Sequence, residues 1–138
     1  MIILDANVVS EIVKPLPEPS VVEWFSRQTP RDLYLTTITQ AEILYGIELL
    51  PKGRRRNTLQ SAMMLIFEQK FAGRVLPFDE GSAYAFAMIS AGHRARGRTI
   101  GELDAQIAAI ALSRGASLAT RNTKDFLDCG VELINPWG

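Results

Sequence analysis

Met1-Ile2-Ile3-Leu4-Asp5-Ala6-Asn7-Val8-Val9-Ser10-Glu11-Ile12-Val13 is the stretch on which the architecture turns. Ile2-Ile3-Leu4 is a short unbroken apolar run, the pattern of a strand covered on both faces rather than one that alternates between core and water. Ala6 to Val13 reads as a short helix, ended by the proline-punctuated Pro15-Leu16-Pro17-Glu18-Pro19. Asp5 stands at the junction, where a strand ends and a helix begins. A doubly covered strand that passes straight into a helix is the opening unit of a parallel α/β sheet.

The same alternation continues along the chain. Ser20 to Gln28 reads as a second helix, Leu33-Tyr34-Leu35-Thr36 as a strand, and Ile38 to Leu50 as a helix stopped by Pro51 and Gly53. Arg54 to Phe71 is helical, with Met63, Met64, Ile66 and Phe67 as core candidates. Val75-Leu76-Pro77-Phe78 is a third strand, and Asp79 is placed to cap a helix that reaches about Arg96 and ends at Gly97. Glu102 to Arg114, closed by Gly115, is a further helix. Ser117-Leu118-Ala119-Thr120 and Val131-Glu132-Leu133-Ile134 are the fourth and fifth strands. No internal repeat or low-complexity tract interrupts the pattern. The expectation is a three-layer α/β/α sandwich with a central, mostly parallel five-stranded sheet, formed by residues 1–138 as one domain.

Composition narrows the chemistry. The 138 residues contain one cysteine and one histidine, Cys129 and His93, so neither an internal disulfide nor a Cys/His zinc site is available. No run approaches the roughly 18 apolar residues of a membrane span, and the N-terminus lacks the basic region of a signal peptide, so a cytoplasmic location is expected. Fifteen basic residues offset fifteen acidic ones. The balance is uneven: residues 1–51 hold seven acids and three bases, 52–77 one acid and six bases, and 78–138 seven acids and six bases. A chain-wide basic excess, the simple mark of a nucleic-acid binder, is absent.

The acids are informative by position. In open α/β sheets, ligands bind beyond the carboxyl ends of the strands. Asp5 lies there, although Asp is also a common helix N-cap. On the 38–50 helix, Ile38, Ala41, Tyr45 and Leu49 fall on one stripe with Glu42 in its middle, so Glu42 needs a cation or a hydrogen-bonded partner if that stripe is buried. Asp104 shares a stripe with Ile107, Ala108 and Ala111, while Glu102, Gln106 and Ser113 face the other way. Asn122 and Asp125, after the fourth strand, have the spacing of a capping box. Several carboxylates converging on one sheet edge would repel one another unless a cation neutralises them. Oxygen donors without His or Cys select a hard ion such as Mg²⁺ or Mn²⁺, which promotes phosphodiester hydrolysis.

Leu4-Asp5-Ala6-Asn7-Val8, Thr39-Gln40-Ala41-Glu42-Ile43-Leu44-Tyr45-Gly46, Leu103-Asp104-Ala105-Gln106-Ile107-Ala108-Ala109 and Ala119-Thr120-Arg121-Asn122 resemble, in order and spacing, the four motifs of a PIN-domain ribonuclease. Gly73-Arg74-Val75-Leu76-Pro77-Phe78-Asp79 and Ile134-Asn135-Pro136-Trp137 are similar to segments of VapC/FitB-type toxins from toxin–antitoxin operons. The resemblance implies a PIN fold and an endoribonuclease using Mg²⁺ or Mn²⁺. It implies that Asp5, Glu42 and Asp104 hold the metal, with Asn7 and Thr120 as supporting polar groups. Many relatives carry a fourth acid where this chain has Asn122, an amide that orients water or coordinates through oxygen but adds no charge. The fourth role is thus open between Asn122 and Asp125, and one firmly bound ion is expected, with a second arriving with substrate. The resemblance further implies a homodimer and a VapB/FitA-like antitoxin that covers the acidic site, often with an Arg, and assembles with operator DNA.

Among the basic residues, Arg121 adjoins the fourth motif, and Arg54 and Arg55 belong to the densest basic run. They read as RNA phosphate contacts, or, for the latter two, as a solvated helix start or an antitoxin-facing surface. His93 reads as a surface residue rather than a general base. Two other functions compete: a PIN module that binds RNA or protein without cleaving, favoured by Asn122, and a phosphoacceptor receiver-like domain, favoured by Asp79 after the third strand.

Overall fold

The computed structural model describes all 138 residues. Five strands, β1 (Ile2–Leu4), β2 (Leu33–Thr36), β3 (Val75–Leu76), β4 (Ser117–Ala119) and β5 (Leu133–Ile134), form one sheet in the order β3-β2-β1-β4-β5. Every pairing is parallel, with Ile3 opposite Tyr34 on one side and Leu118 on the other. Six helices accompany them: α1 (Ala6–Ile12), α2 (Pro19–Ser26), α3 (Thr37–Glu48), α4 (Arg54–Leu65), α5 (Glu80–Ala95) and α6 (Glu102–Arg114). Short strands survive here because both faces of each are covered.

Alternation along the strands sorts the core into two layers. Ile3 and Leu118 point into a cluster with Ile89 of α5 and Ile107 and Ile110 of α6. Their neighbours Leu4 and Ala119 point the other way, into a cluster with Val8 and Val9 of α1, Ile43 and Ile47 of α3, and Met63 of α4. This is the expected α/β/α sandwich, with the sheet entirely rather than mostly parallel. The alanines of α6 let it lie deep in the structure: every residue from Ile107 to Ala111 is buried.

Helix ends follow the signals in the sequence. Thr36 caps α3 through the Thr39 N–H at 3.1 Å, and the Asp79 carboxylate caps α5 through the Ser82 N–H at 3.0 Å. Gly115 ends α6 with φ +63°, the left-handed conformation for which a side chain carries a steric cost. No helix is long and apolar enough to cross a membrane.

Candidate active site

The strand order places a topological switch between β1 and β4. From β1 the chain moves outward to β2 and β3, then returns through α5 and α6 to the opposite side of β1. The crevice beyond the carboxyl ends of those two strands is where an open parallel sheet binds ligands. Asp5 follows β1 there, and Thr120 follows β4.

Asp5 is 6% exposed and closely held. One carboxylate oxygen, Oδ1, accepts the Ala6 N–H at 2.8 Å, so the residue does cap α1. The other, Oδ2, accepts the Thr120 hydroxyl at 2.8 Å and the Asn7 amide at 3.2 Å. Thr120 Oγ1 in turn accepts the Asn122 backbone N–H at 3.1 Å, and Asn7 Oδ1 accepts the Arg121 N–H at 3.2 Å. Two loops from opposite ends of the sequence thereby fix the direction of one carboxylate. Capping α1 leaves Oδ2 of Asp5 directed toward Thr120 and Asn7, so the cap does not preclude a role in the site.

Glu42 on α3 and Asp104 on α6 approach Asp5 from opposite layers. The Glu42 carboxyl is raised above its ordinary value by partial burial, then by the negative charges of Asp5 and Asp104. Asp104 is raised by partial burial, then by Asp5 and Asp125. The convergence of the three acids is thus visible in their electrostatics. Glu42 reaches this position differently from the helical-wheel reading. Ala41, Tyr45 and Leu49 are exposed, and α3 buries Thr39, Ile43 and Ile47 instead. Glu42 therefore lies at the edge of the buried stripe, half-buried, where a carboxylate meets both protein and solvent. Asp104 faces inward beside Ala105, Ile107 and Ala108 as expected, while Glu102 is exposed.

The loop after β4 divides its two candidates. Asn122 makes no side-chain cap, so the capping box does not form; its backbone N–H is instead taken by Thr120. Asp125 shares a cavity with Asp104 and contributes to raising its pKa. Arg121 lays its guanidinium 5.2 Å from the Trp137 ring centroid, and Arg54 and Arg55 line a groove that begins at Glu42.

His93 is not a surface residue. It is 5% exposed, and its two ring nitrogens lie 3.0 Å from the Ile89 and Leu127 carbonyl oxygens. The ring ties α5 to the loop beneath Asp104. Sequence reading also missed Glu11, 7% exposed, which pairs with Lys14 at 3.0 Å and accepts the Glu18 N–H at 3.1 Å. Those bonds fold back the proline-rich loop, and the regular spacing of a short helix held no sign of them. The receiver-like alternative is overturned: Asp79 follows the edge strand β3, and its carboxylate binds Ser82 and Arg114.

The residues suit a hard cation. All donors are oxygens, and Glu42 and Asp104 have pKa values raised in the direction that a cation would reverse. No three acidic, His or Cys side chains are grouped tightly enough to enclose an ion by themselves.

A parallel sheet that gathers carboxylates from β1, α3 and α6 at its carboxyl edge defines the class, and the chain belongs to the PIN-domain family, which it matches over residues 2–130. Within that family it is of the VapC/FitB type. It is 40% identical to a VapC ribonuclease of Sinorhizobium fredii over 99% of this chain and 98% of that protein. It is 39% identical to the toxin FitB of Neisseria gonorrhoeae over 99% of each. The solved structure of FitAB bound to a DNA fragment superimposes with a TM-score of 0.94 at 40% identity, covering 100% of this chain and 96% of that one.

Proposed function

We propose that this chain is the ribonuclease toxin of a toxin–antitoxin pair, a Mg²⁺- or Mn²⁺-dependent endoribonuclease that hydrolyses RNA phosphodiester bonds with water. The observation that carries this reading is the convergence of Asp5, Glu42 and Asp104, from three different elements, on the sheet's switch point. These three would hold the metal, directly or through water. When bound, the ion activates water and offsets charge on the phosphate oxygens. Thr120 and Asn7 keep the Asp5 carboxylate aimed, and second partners of that kind commonly set metal affinity and activity by about 10–100-fold. Asp125 takes the fourth role through its proximity to Asp104, and Asn122 supports the loop through its backbone. One ion binds firmly; two equivalent tight sites by calorimetry without RNA would contradict this.

A VapB/FitA-like antitoxin is the proposed protein partner. A groove of about 960 Å³ between α1, α3 and α4 starts at Glu42 and is walled by Val13, Ile43, Ile47 and Met63. It suits an apolar segment whose cation, an Arg above all, pairs with Glu42. The similarity to FitAB on DNA supports assembly with operator DNA. Exposed Tyr84, Met88 and Leu103 on α5 and α6 offer an apolar face for a homodimer. The proposed location is the cytoplasm, with the RNA substrate.

The deciding experiment is RNA cleavage by purified, antitoxin-free protein in Mg²⁺, Mn²⁺ or EDTA, with Asp5→Asn and Asp104→Asn beside it. Cleavage that needs metal and is lost in both variants supports the proposal. Equal cleavage by the variants would indicate a contaminating nuclease, and RNA binding without cleavage would favour the non-catalytic module.

A further inference from the structure

The acid centre opens on two cavities of opposite character. The groove at Glu42 is largely apolar, whereas a second cavity, of about 510 Å³, lies on the Asp104 side. Its walls include Arg98, Thr99, Asp104, Lys124, Asp125 and Asp128, with Ile100 and Leu127 as its apolar lining. That volume falls in the range of small-ligand sites. Gly101 also lines this cavity, beside the Asp104 carboxylate.

A centre built of carboxylates repels a polyanion, so affinity for RNA must come from cations beside it. Most nearby cations are already engaged. Arg121 covers Trp137, Arg98 pairs with Asp128, Arg56 with Glu48 and Arg114 with Asp79. Arg54 and Arg55 face the apolar groove. Lys124 is different: it stands on the short turn Thr123–Phe126 beside Asp125, is exposed, and forms no ion pair although three carboxylates line the same cavity.

We infer that this polar cavity is the subsite for the nucleotide flanking the scissile phosphate, and that Lys124 is the positioning residue that grips that nucleotide's phosphate. The inference rests on the ribonuclease reading above and adds where the strand lies. RNA crosses the acid centre from the Asp104 side, leaving the apolar groove to a protein segment. Asp104 then bounds both the reacting phosphate and its neighbour, and Lys124 reduces the repulsion that Asp104, Asp125 and Asp128 would exert on the strand.

The test uses the full chain and a fluorescein-labelled, mixed-sequence 12-nucleotide single-stranded RNA. Binding is followed by anisotropy in EDTA between 50 and 200 mM salt for wild type, Lys124→Gln, Lys124→Arg and Lys70→Gln, a surface control outside both cavities. Loss of one phosphate contact lowers the slope of log K against log salt by about 0.7, or about threefold less change in affinity across that range. Lys124→Gln is expected to weaken binding and lose that slope, with Lys124→Arg restoring it and Lys70→Gln matching wild type. In metal-dependent cleavage, Lys124→Gln raises KM several-fold with kcat nearly retained. Unchanged affinity and slope in Lys124→Gln, or an equal effect from Lys70→Gln, overturns the subsite. Lys124-dependent binding without cleavage sustains the subsite while defeating the ribonuclease reading. Cleavage indifferent to Lys124 does the reverse, and the absence of RNA binding at 50 mM salt together with the absence of metal-dependent cleavage defeats both.

Discussion

Thr120→Val is the substitution that most directly probes how the site is held. The side chain is fully buried, and valine keeps its shape while removing the hydroxyl. That hydroxyl donates to Asp5 Oδ2 at 2.8 Å and accepts the Asn122 N–H at 3.1 Å. A hydrogen bond to a charged acceptor contributes about 1.5–3 kcal/mol. The exposed Asn122 can turn its N–H to water, so its loss adds little. The expected cost is therefore about 2–3 kcal/mol. For a chain of this size that corresponds to a fall in melting temperature of roughly 6–15 °C. Urea unfolding of wild type, Thr120→Val, Asp5→Asn and the double variant, in metal-free buffer, isolates the pair. A coupling of about 1.5–3 kcal/mol is expected, with Thr120→Ser retaining most of it. A coupling below about 0.5 kcal/mol, within the scatter for independent sites, would refute the claim that Thr120 orients Asp5.

Ile107→Ala removes a fully buried side chain between the sheet and α5, and should cost about 2–5 kcal/mol by urea denaturation. Glu42→Gln should stabilise the metal-free protein at neutral pH. Because the Glu42 carboxyl is raised in the fold above its ordinary 4.5, the folded chain holds that proton more tightly than the unfolded one. The charged form thus opposes folding above the raised value, and this penalty fades as pH falls through it toward 4.5. Melting curves in EDTA should show the variant ahead at pH 7.5 and the gap closing near pH 4.5; a constant gap would contradict the assignment. His93→Phe removes the ring contacts to the Ile89 and Leu127 carbonyls, leaving the Cys129 thiol on the latter, and should cost about 1–3 kcal/mol, with hydrogen exchange increased in the segment around Leu127.

Much of the site was legible before folding was considered. Asp104 was readable because α6 carries a long, unambiguous apolar face, and the acid falls within it. Glu42 is singled out in the sequence for a partly mistaken reason. The apolar residues of α3 encircle the helix, so the wheel selected Ala41, Tyr45 and Leu49, whereas the sheet covers Thr39, Ile43 and Ile47. Which side of such a helix is buried depends on its neighbours, and those lie far away in sequence.

The order of strand and helix, the glycines that close α5 and α6, and the Asp79 cap follow from rules spanning a few residues, and the chain order displays them directly. The strand order β3-β2-β1-β4-β5 does not, because a crossover can return to either side of β1 without altering any local pattern. That choice puts Thr120 within 2.8 Å of Asp5 across 115 positions and brings Asp104 toward Glu42. It also commits Arg121 to Trp137 and leaves Lys124 unpaired beside Asp104. Residue types thus raise, from the sequence, the expectation of an oxygen-only, carboxylate-based chemistry. Only the long-range packing of the sheet decided which oxygens meet, how they are aimed and which cations remain free, since hydrogen bonds and charges act through space rather than along the chain.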